Sequence, residues 1–425
     1  MVRAMKDSGI EWIGEIPAGW EVARVSSCFS EVKEKNTDNL YDNALQFKMG
    51  RIIPKPRKWD AEEIGETYSA YTIVHPGTIM VNGLNLEFDF VTQRVAIVEE
   101  NGIITSAYIA MSPNDSVDAD YMCYLLKAYD YRRALHNMGK GLRKILNYSE
   151  LKTKPILLPP LSEQRSIVKA LNAECARIDA VIEQTRASIE EYKKLKQSVI
   201  TQAVTKGIRP GRRMVNSGVD WLGQIPDEWA VFRIANLYDE RNERGTDDLP
   251  ILTVSINTGI SDHEIPDEEK DRVVVRSEDR TLYKRVCPGD LAYNMMRAWQ
   301  GAFGAARVDG MVSPAYVVAK PKTPGILDSR YVEALLRTPS AIEEMHRYSR
   351  GITDFRLRLY WPEFKNICVC VPSVKEQIEI ADYIDAKAAE IDTLIQKKQQ
   401  FLDEMESYKK SLIYEYVTGK KEVGQ

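Results

Sequence analysis

The chain has 425 residues, 44 % of them hydrophobic and 28 % charged, the profile of a folded protein rather than a disordered, collagen-like or disulfide-dense one. At roughly 100–200 residues per domain, two to four domains are expected. The net charge of −4, from 58 Lys+Arg and 62 Asp+Glu, argues against a free-standing, non-specific nucleic-acid binder, which is normally basic. It leaves room for local basic patches and for a DNA reader inside a larger complex. No run approaches the ~18 apolar residues of a membrane span, and the start, MVRAMKDSGIEWIG, lacks the apolar stretch of a signal peptide. A cytoplasmic protein that does not engage membranes is expected.

The first feature in chain order is SGIEWIGEIPAGWEVARV, Ser8 to Val25. Gln46 to Lys58 follows, a basic stretch with Lys48, Arg51, Lys55, Arg57 and Lys58. YTIVHPGTIMV and TQRVAIV read as strands, with a turn at Pro76-Gly77. Asn82, Asn85, Gln93 and Arg94 lie around them and are residue types that can read base edges. DADYMCYLLKAYDYRRALHNM reads as a helix. From Tyr131 to Lys154 seven basic residues (Arg132, Arg133, Lys140, Arg143, Lys144, Lys152 and Lys154) face one acid, Glu150. Part of this stretch is a glycine-bearing loop, GKGLRK.

After PPLSEQ the pattern turns helical. Val168, Leu171, Cys175, Ile178, Ile182, Thr185, Ile189, Tyr192, Lys196, Val199 and Ala203 step by three and four. This is a heptad seam in which Thr185 and Lys196 are imperfect members. Ser162 suits an N-cap and Gly207 a stop.

The chain then repeats itself. SGVDWLGQIPDEWAVFRI, Ser217 to Ile234, matches the opening segment at an offset of 209 positions, pairing Trp12 with Trp221, Pro17 with Pro226 and Trp20 with Trp229. KRVCPGDLAYNMM and PAYVVAKP read as strands. Asn294, Arg297 and Gln300 are again base-reading types, and DSRYVEALLRTPSAIEEMHRY reads as a helix. The second basic loop, SRGITDFRLR, carries Arg350, Arg356 and Arg358. PSVKEQIEIADYIDAKAAEID repeats the segment from Pro159 at an offset of 213, and a second seam runs from Ala381 to Tyr416, with Gly419 as its stop. Residues 36–75 and 245–287 show little likeness, so one frame encloses two different interiors.

The expected fold is α+β. Two repeated globular domains, 1–160 and 208–372, alternate with long helices in 161–207 and 373–425. Each helix, of about 40–45 residues, would be roughly 60–65 Å long. Its narrow apolar stripe needs a partner, and the other copy, related by a pseudo-twofold axis, would form an antiparallel coiled coil with it.

Catalytic signals are sparse. The sequence has no GxxxxGK[ST], no HExxH, no GxSxG and no Asn-Pro-Pro-[Phe/Tyr] segment. Asp354 with Glu363-Phe364-Lys365 loosely matches a metal-dependent nuclease core, but Glu-x-Lys also occurs at Glu31 to Lys33, and the structural reading is preferred. Cys368 and Cys370 lack the further ligands a metal site needs. No catalytic or metal residue is assigned. The charge is more informative: basic residues on glycine-bearing loops suit phosphate contact. The DNA-contact set is therefore Arg51, Lys55, Arg57, Lys58, Asn82, Gln93, Arg94, Lys140, Arg143 and Lys144 in the first half. In the second it is Arg297, Gln300, Arg350, Arg356 and Arg358.

Two copies of SGI-W-G-IP–W, each closed by PP-L-EQ or P-V-EQ and by a heptad helix ending in AVTKG or YVTGK, resemble the specificity subunit of type I restriction–modification systems. The resemblance covers nearly the whole chain. It implies a non-catalytic subunit with two target-recognition domains, each reading one half of a split double-stranded DNA target, and a helical spacer that fixes their distance. It also implies a pair of methyltransferase subunits as partners, with motor-endonuclease subunits joining the full complex. S-adenosylmethionine would be bound by the methyltransferase, not by this chain. The alternatives left open are a fused nuclease or methyltransferase and a coiled-coil scaffold without DNA.

Overall fold

The computed structural model describes residues 3–423 apart from 57–67, 142–143, 247, 257, 266–281 and 352–355. It divides into two compact units, one of residues 1–186 with 400–425 and one of residues 187–399. Arg57, Lys58, Arg143 and Asp354 lie outside the described residues.

The first unit opens on a hairpin, Met5–Asp7 with Glu15–Pro17. Strand Glu21–Arg24 then pairs antiparallel with Pro155–Leu158, so the start of the domain is stitched to its end. The central four-stranded sheet has the order Phe29–Glu31, Ile109–Pro113, Ile79–Val81, Val95–Ile97, all antiparallel. The strand Thr72–Val74 pairs with Gly102–Ile104. The turn that separates it from Ile79–Val81 holds Gly77 at φ +88, where a side chain would be strained. β-Branched and aliphatic residues give these strands their buried faces: Val74, Met80, Ala96, Ile104 and Ala110 form one core cluster with Leu45, Ile52 and Val98. Helix Ala119–Tyr131 is capped by Asp118, whose side chain accepts from Tyr121 N, and buries Met122, Leu125, Leu126 and Tyr129.

The second unit repeats the plan. Hairpin Met214–Asn216 with Gln224–Pro226 comes first, and Ala230–Arg233 pairs with Cys368–Val371. The four-stranded sheet runs Tyr238–Glu240, Tyr316–Pro321, Leu291–Asn294, Phe303–Ala305, the same order as in the first unit. One expectation is corrected here: DSRYVEALLRTPSAIEEMHRY is two helices, Ser329–Leu336 and Pro339–Tyr348. Pro339 has no N–H and pushes Thr338 out of the helical region, to φ −67, ψ 150. Thr338 then caps the second helix by accepting from Ala341 N.

The long helices span Leu161–Lys206 and Val374–Val417. Within the first unit, Asp179 bonds Lys409 at 2.6 Å and Arg186 bonds Glu406 at 2.9 Å, so one helix ascends as the other descends. Within the second unit, Lys196 bonds Asp392 at 2.7 Å, and Lys398 lies over the Tyr192 ring at 5.6 Å, again antiparallel. The seam is buried at Val168, Leu171, Cys175, Ile178, Ile182 and Ile189 and at Ile384, Ile391, Leu402 and Leu412. Thr185 fits because its hydroxyl donates to Val181 O.

The Glu-Gln pair at the start of each helix seats it on its domain. Gln164 accepts from Asp118 N and donates to Pro159 O, both at 2.8 Å. Gln377 does the same with Asp328 N and Pro372 O. Glu163 receives Arg3 and the Trp20 indole, while Glu376 receives Arg212. The far end of the other helix is held too: the Tyr121 hydroxyl donates to Val417 O, and that of Tyr331 to Val204 O, both at 3.1 Å.

Candidate nucleic-acid interface

In the first unit three segments converge. The first is the loop 82–94. Its organiser is Arg94, fully buried, whose guanidinium donates to the carbonyls of Leu84 at 2.7 Å and Asp89 at 2.6 Å and reaches those of Asn82 and Asn85. Asp89 closes the turn by accepting from Val91 N and Thr92 N. Hydrogen bonding from Thr92, with Arg94 nearby, holds the Asp89 carboxyl below its ordinary range. Asp130 accepts from Arg94 N, and burial pushes its carboxyl up.

The second segment is the basic loop. Its ends are held together where Lys140 and Ile145 exchange backbone hydrogen bonds at 3.0 Å, and it is tied to the first loop by Leu146 N donating to Gly83 O at 2.9 Å. The third is the hairpin Leu45–Lys48 with Arg51–Pro54. Its two-residue turn sets Met49 at φ +48 and Gly50 at φ +73, both left-handed, as such hairpin turns require. The Gln93 side chain lies so close over Gly50 that a Cβ there would collide with it.

Arg51, Asn82, Gln93, Lys140 and Lys144 are thus brought onto segments in mutual contact, and Lys55 follows the hairpin's second strand. Arg51, Lys55, Lys140 and Lys144 are exposed, and Asn82 and Gln93 are partly buried. Lys144 pairs with Glu87 at 2.9 Å, while Lys140 stands 4.0 Å from Glu150. Arg94 is the exception. The sequence reading offered it as a base reader, but its donors face backbone carbonyls in the interior. It shapes the loop instead.

The second unit places its residues in the same way. Arg350 and Arg358 exchange backbone hydrogen bonds at 2.9 Å, and Leu359 N donates to Met295 O, the counterpart of the Leu146–Gly83 tie. The loop so tied holds Arg297, partly buried, and Gln300, exposed. It is shaped by a short 3-10 turn, Ala298–Gln300, with Gly301 at φ +91 and the Trp299 indole donating to Met296 O. Arg350, Arg356 and Arg358 are exposed, and Arg350 pairs with Glu363 at 2.7 Å. Glu363 is therefore the partner of a basic-loop arginine, and Phe364 beside it is buried in the core. Among the described residues no cluster of three or more His, Cys, Asp or Glu could hold a metal ion.

Sequence reasoning missed two sets of residues. Arg3 and Arg212 stand at the repeat offset, and both pair with the Glu of the Glu-Gln motif. Phe88, Phe90 and Val91 were passed over in the run EFDFV, which lies between turn residues and has no strand alternation.

Residues 85–191 match the family model described as type I restriction modification DNA specificity domain. The likeness to whole proteins runs almost end to end. The MjaVIII specificity subunit of Methanocaldococcus jannaschii is 22 % identical over 95 % of this chain and 93 % of its own. A candidate MjaX specificity subunit of the same organism is 24 % identical over 96 % and 95 %. The EcoKI specificity subunit of Escherichia coli is 22 % identical over 94 % and 89 %. Nearly the whole chain is thus similar to type I restriction specificity subunits. Solved structures agree on the fold. A chain from a type I R-M system structure on complex assembly superposes with a TM-score of 0.68 at 14 % identity, covering 96 % of this chain and 99 % of that one. The HsdS subunit of Thermoanaerobacter tengcongensis gives 0.50 at 16 %, covering 96 % and 98 %.

Proposed function

We propose that this chain is a specificity subunit that reads a bipartite DNA target. The globular domains 1–160 and 208–372 each read one half. The helices in 161–207 and 373–425 set the spacing and dock two methyltransferase subunits, with motor-endonuclease subunits completing the restriction complex. Methyl transfer would use S-adenosylmethionine held by the methyltransferase. The observation that carries this reading is the pair of basic loops, closed by the backbone pairs Lys140 with Ile145 and Arg350 with Arg358. Each is tied by one backbone hydrogen bond to a loop bearing base-reading residue types, at the same place in both units. A loop whose ends are bonded together can present charge to phosphates without ordering a long tail, and the adjoining loop would face the bases.

The test is the salt dependence of specific duplex binding by the complex with its methyltransferase subunits. Each neutralised phosphate contributes about −0.9 to the slope of log K against log salt. Lys140→Ala with Lys144→Ala should flatten that slope by up to about 2 and weaken all sequences alike. An unchanged slope in an assembled complex would remove the phosphate role from this loop.

A further inference from the structure

Resting on the DNA-reading function above, we infer that Phe88 and Val91 form an apolar wedge that packs against or between the bases of the half-site read by the first domain. Both side chains stand in solvent, Phe88 at 75 % and Val91 at 93 % exposure, at the tip of the loop 82–94. An apolar side chain on a loose loop would fold down onto the nearest surface. This loop cannot collapse in that way, because the buried Arg94 guanidinium clamps its carbonyls and Asp89 caps its turn. Phe90, itself exposed, is held by stacking on the His136 ring at 5.2 Å and by Arg133 at 5.0 Å from its ring.

The surroundings identify the occupant. The loop's carboxylates are both paired to cations, Glu87 to Lys144 and Asp89 to Arg94. The basic loop meets the tip where Lys144 pairs with Glu87, next to Phe88, and the hairpin of Arg51 meets the base of the same loop at Gln93. A rigid apolar point framed by phosphate-binding charge complements a base stack. Apolar side chains inserted at base steps unstack them and make sequence-dependent deformability part of recognition. A stable protein interface needs about 800 Å² from each partner, far more than two side chains offer. Among the described residues the corresponding loop of the second unit carries no such tip: Met296 is 45 % exposed there and Trp299 is folded onto its carbonyl. The wedge would serve one half-site only.

The experiment uses the complex with its methyltransferase subunits and specific duplexes carrying 2-aminopurine at successive positions of the first half-site. Wild type should raise the fluorescence at one step. Phe88→Ala with Val91→Ala should abolish that rise and weaken specific binding about tenfold, the scale of losing one base–aromatic contact. The salt slope should not change, since an apolar contact releases no counterions. Phe88→Leu should keep most of the affinity. Unchanged fluorescence and affinity in the double variant would overturn the wedge. So would impaired DNA-free assembly in analytical ultracentrifugation, which would make the tip a protein-docking point. If the wild-type complex fails to discriminate its specific duplex at all, the DNA-reading function itself falls, a result distinct from specific binding that ignores these substitutions.

Discussion

At the residue scale, Arg94 shows how far residue type can mislead. In the sequence it is an arginine between two strand-like runs, next to Gln93, and the pair reads as base-edge chemistry. Type and position carry no information about exposure, and only the fold turns Gln93 toward the Gly50 turn and Arg94 into the interior. Replacing Arg94 by Met would take the guanidinium donor from the carbonyls of Asn82 and Leu84 and end the charge-assisted bond to Asp89 O. The loss should be at least about 3 kcal/mol, on the scale of breaking a buried charged network, with a clear fall in the urea midpoint. An unchanged midpoint would mean that the loop finds other donors. The basic residues were legible for the opposite reason: a run of cations with one opposing acid has few ways to be buried. Phe88 and Val91 were not, because an exposed apolar residue looks like any core residue in a sequence.

At the element scale, the heptad seams were legible and so were their polar members, though not what those members do. Lys196 and Lys409 stand 213 positions apart, as do Asp179 and Asp392, and each lysine reaches the aspartate of the other helix. The two lysines thus make equivalent cross-helix pairs, while Thr185 bonds within its own helix. Such pairs fix register more than they add stability, and partly exposed as they are they contribute about 1 kcal/mol or less. Lys409→Asp would set like charges opposite each other and should lower the melting temperature. Adding Asp179→Lys should restore it, and no recovery would show that the pair does not define the register. The break before Pro339 was readable from proline chemistry alone. The amphipathic pattern on either side of it, Tyr331, Val332, Leu335 and Leu336 and then Ala341 and Met345, hid it because both helices pack on one core.

At the scale of the whole molecule, the repeat made the plan legible while the dissimilar interiors kept the target hidden. Independent reading by the two halves makes a definite prediction. Exchanging residues 8–158 for the equivalent domain of a relative should change one half of the methylated motif and leave the other, as methylome sequencing would show. A simultaneous change in both halves would contradict it. The spacer is testable in the same assay. Removing one heptad from each helix shortens them by ~10 Å, about three base pairs, and should shorten the preferred gap between half-sites accordingly.

The division of the chain into units has a temporal side. The second unit is one continuous stretch, residues 187–399, whereas the first needs residues 400–425 to complete it. Tyr121 waits for Val417, and the Trp12 and Ile13 carbonyls wait for Tyr414 and Lys420. During synthesis on the ribosome, the half made first is therefore the half finished last. Its apolar surfaces stay open while more than two hundred further residues are added, which places the aggregation risk of a slow, long-range closure on the N-terminal domain.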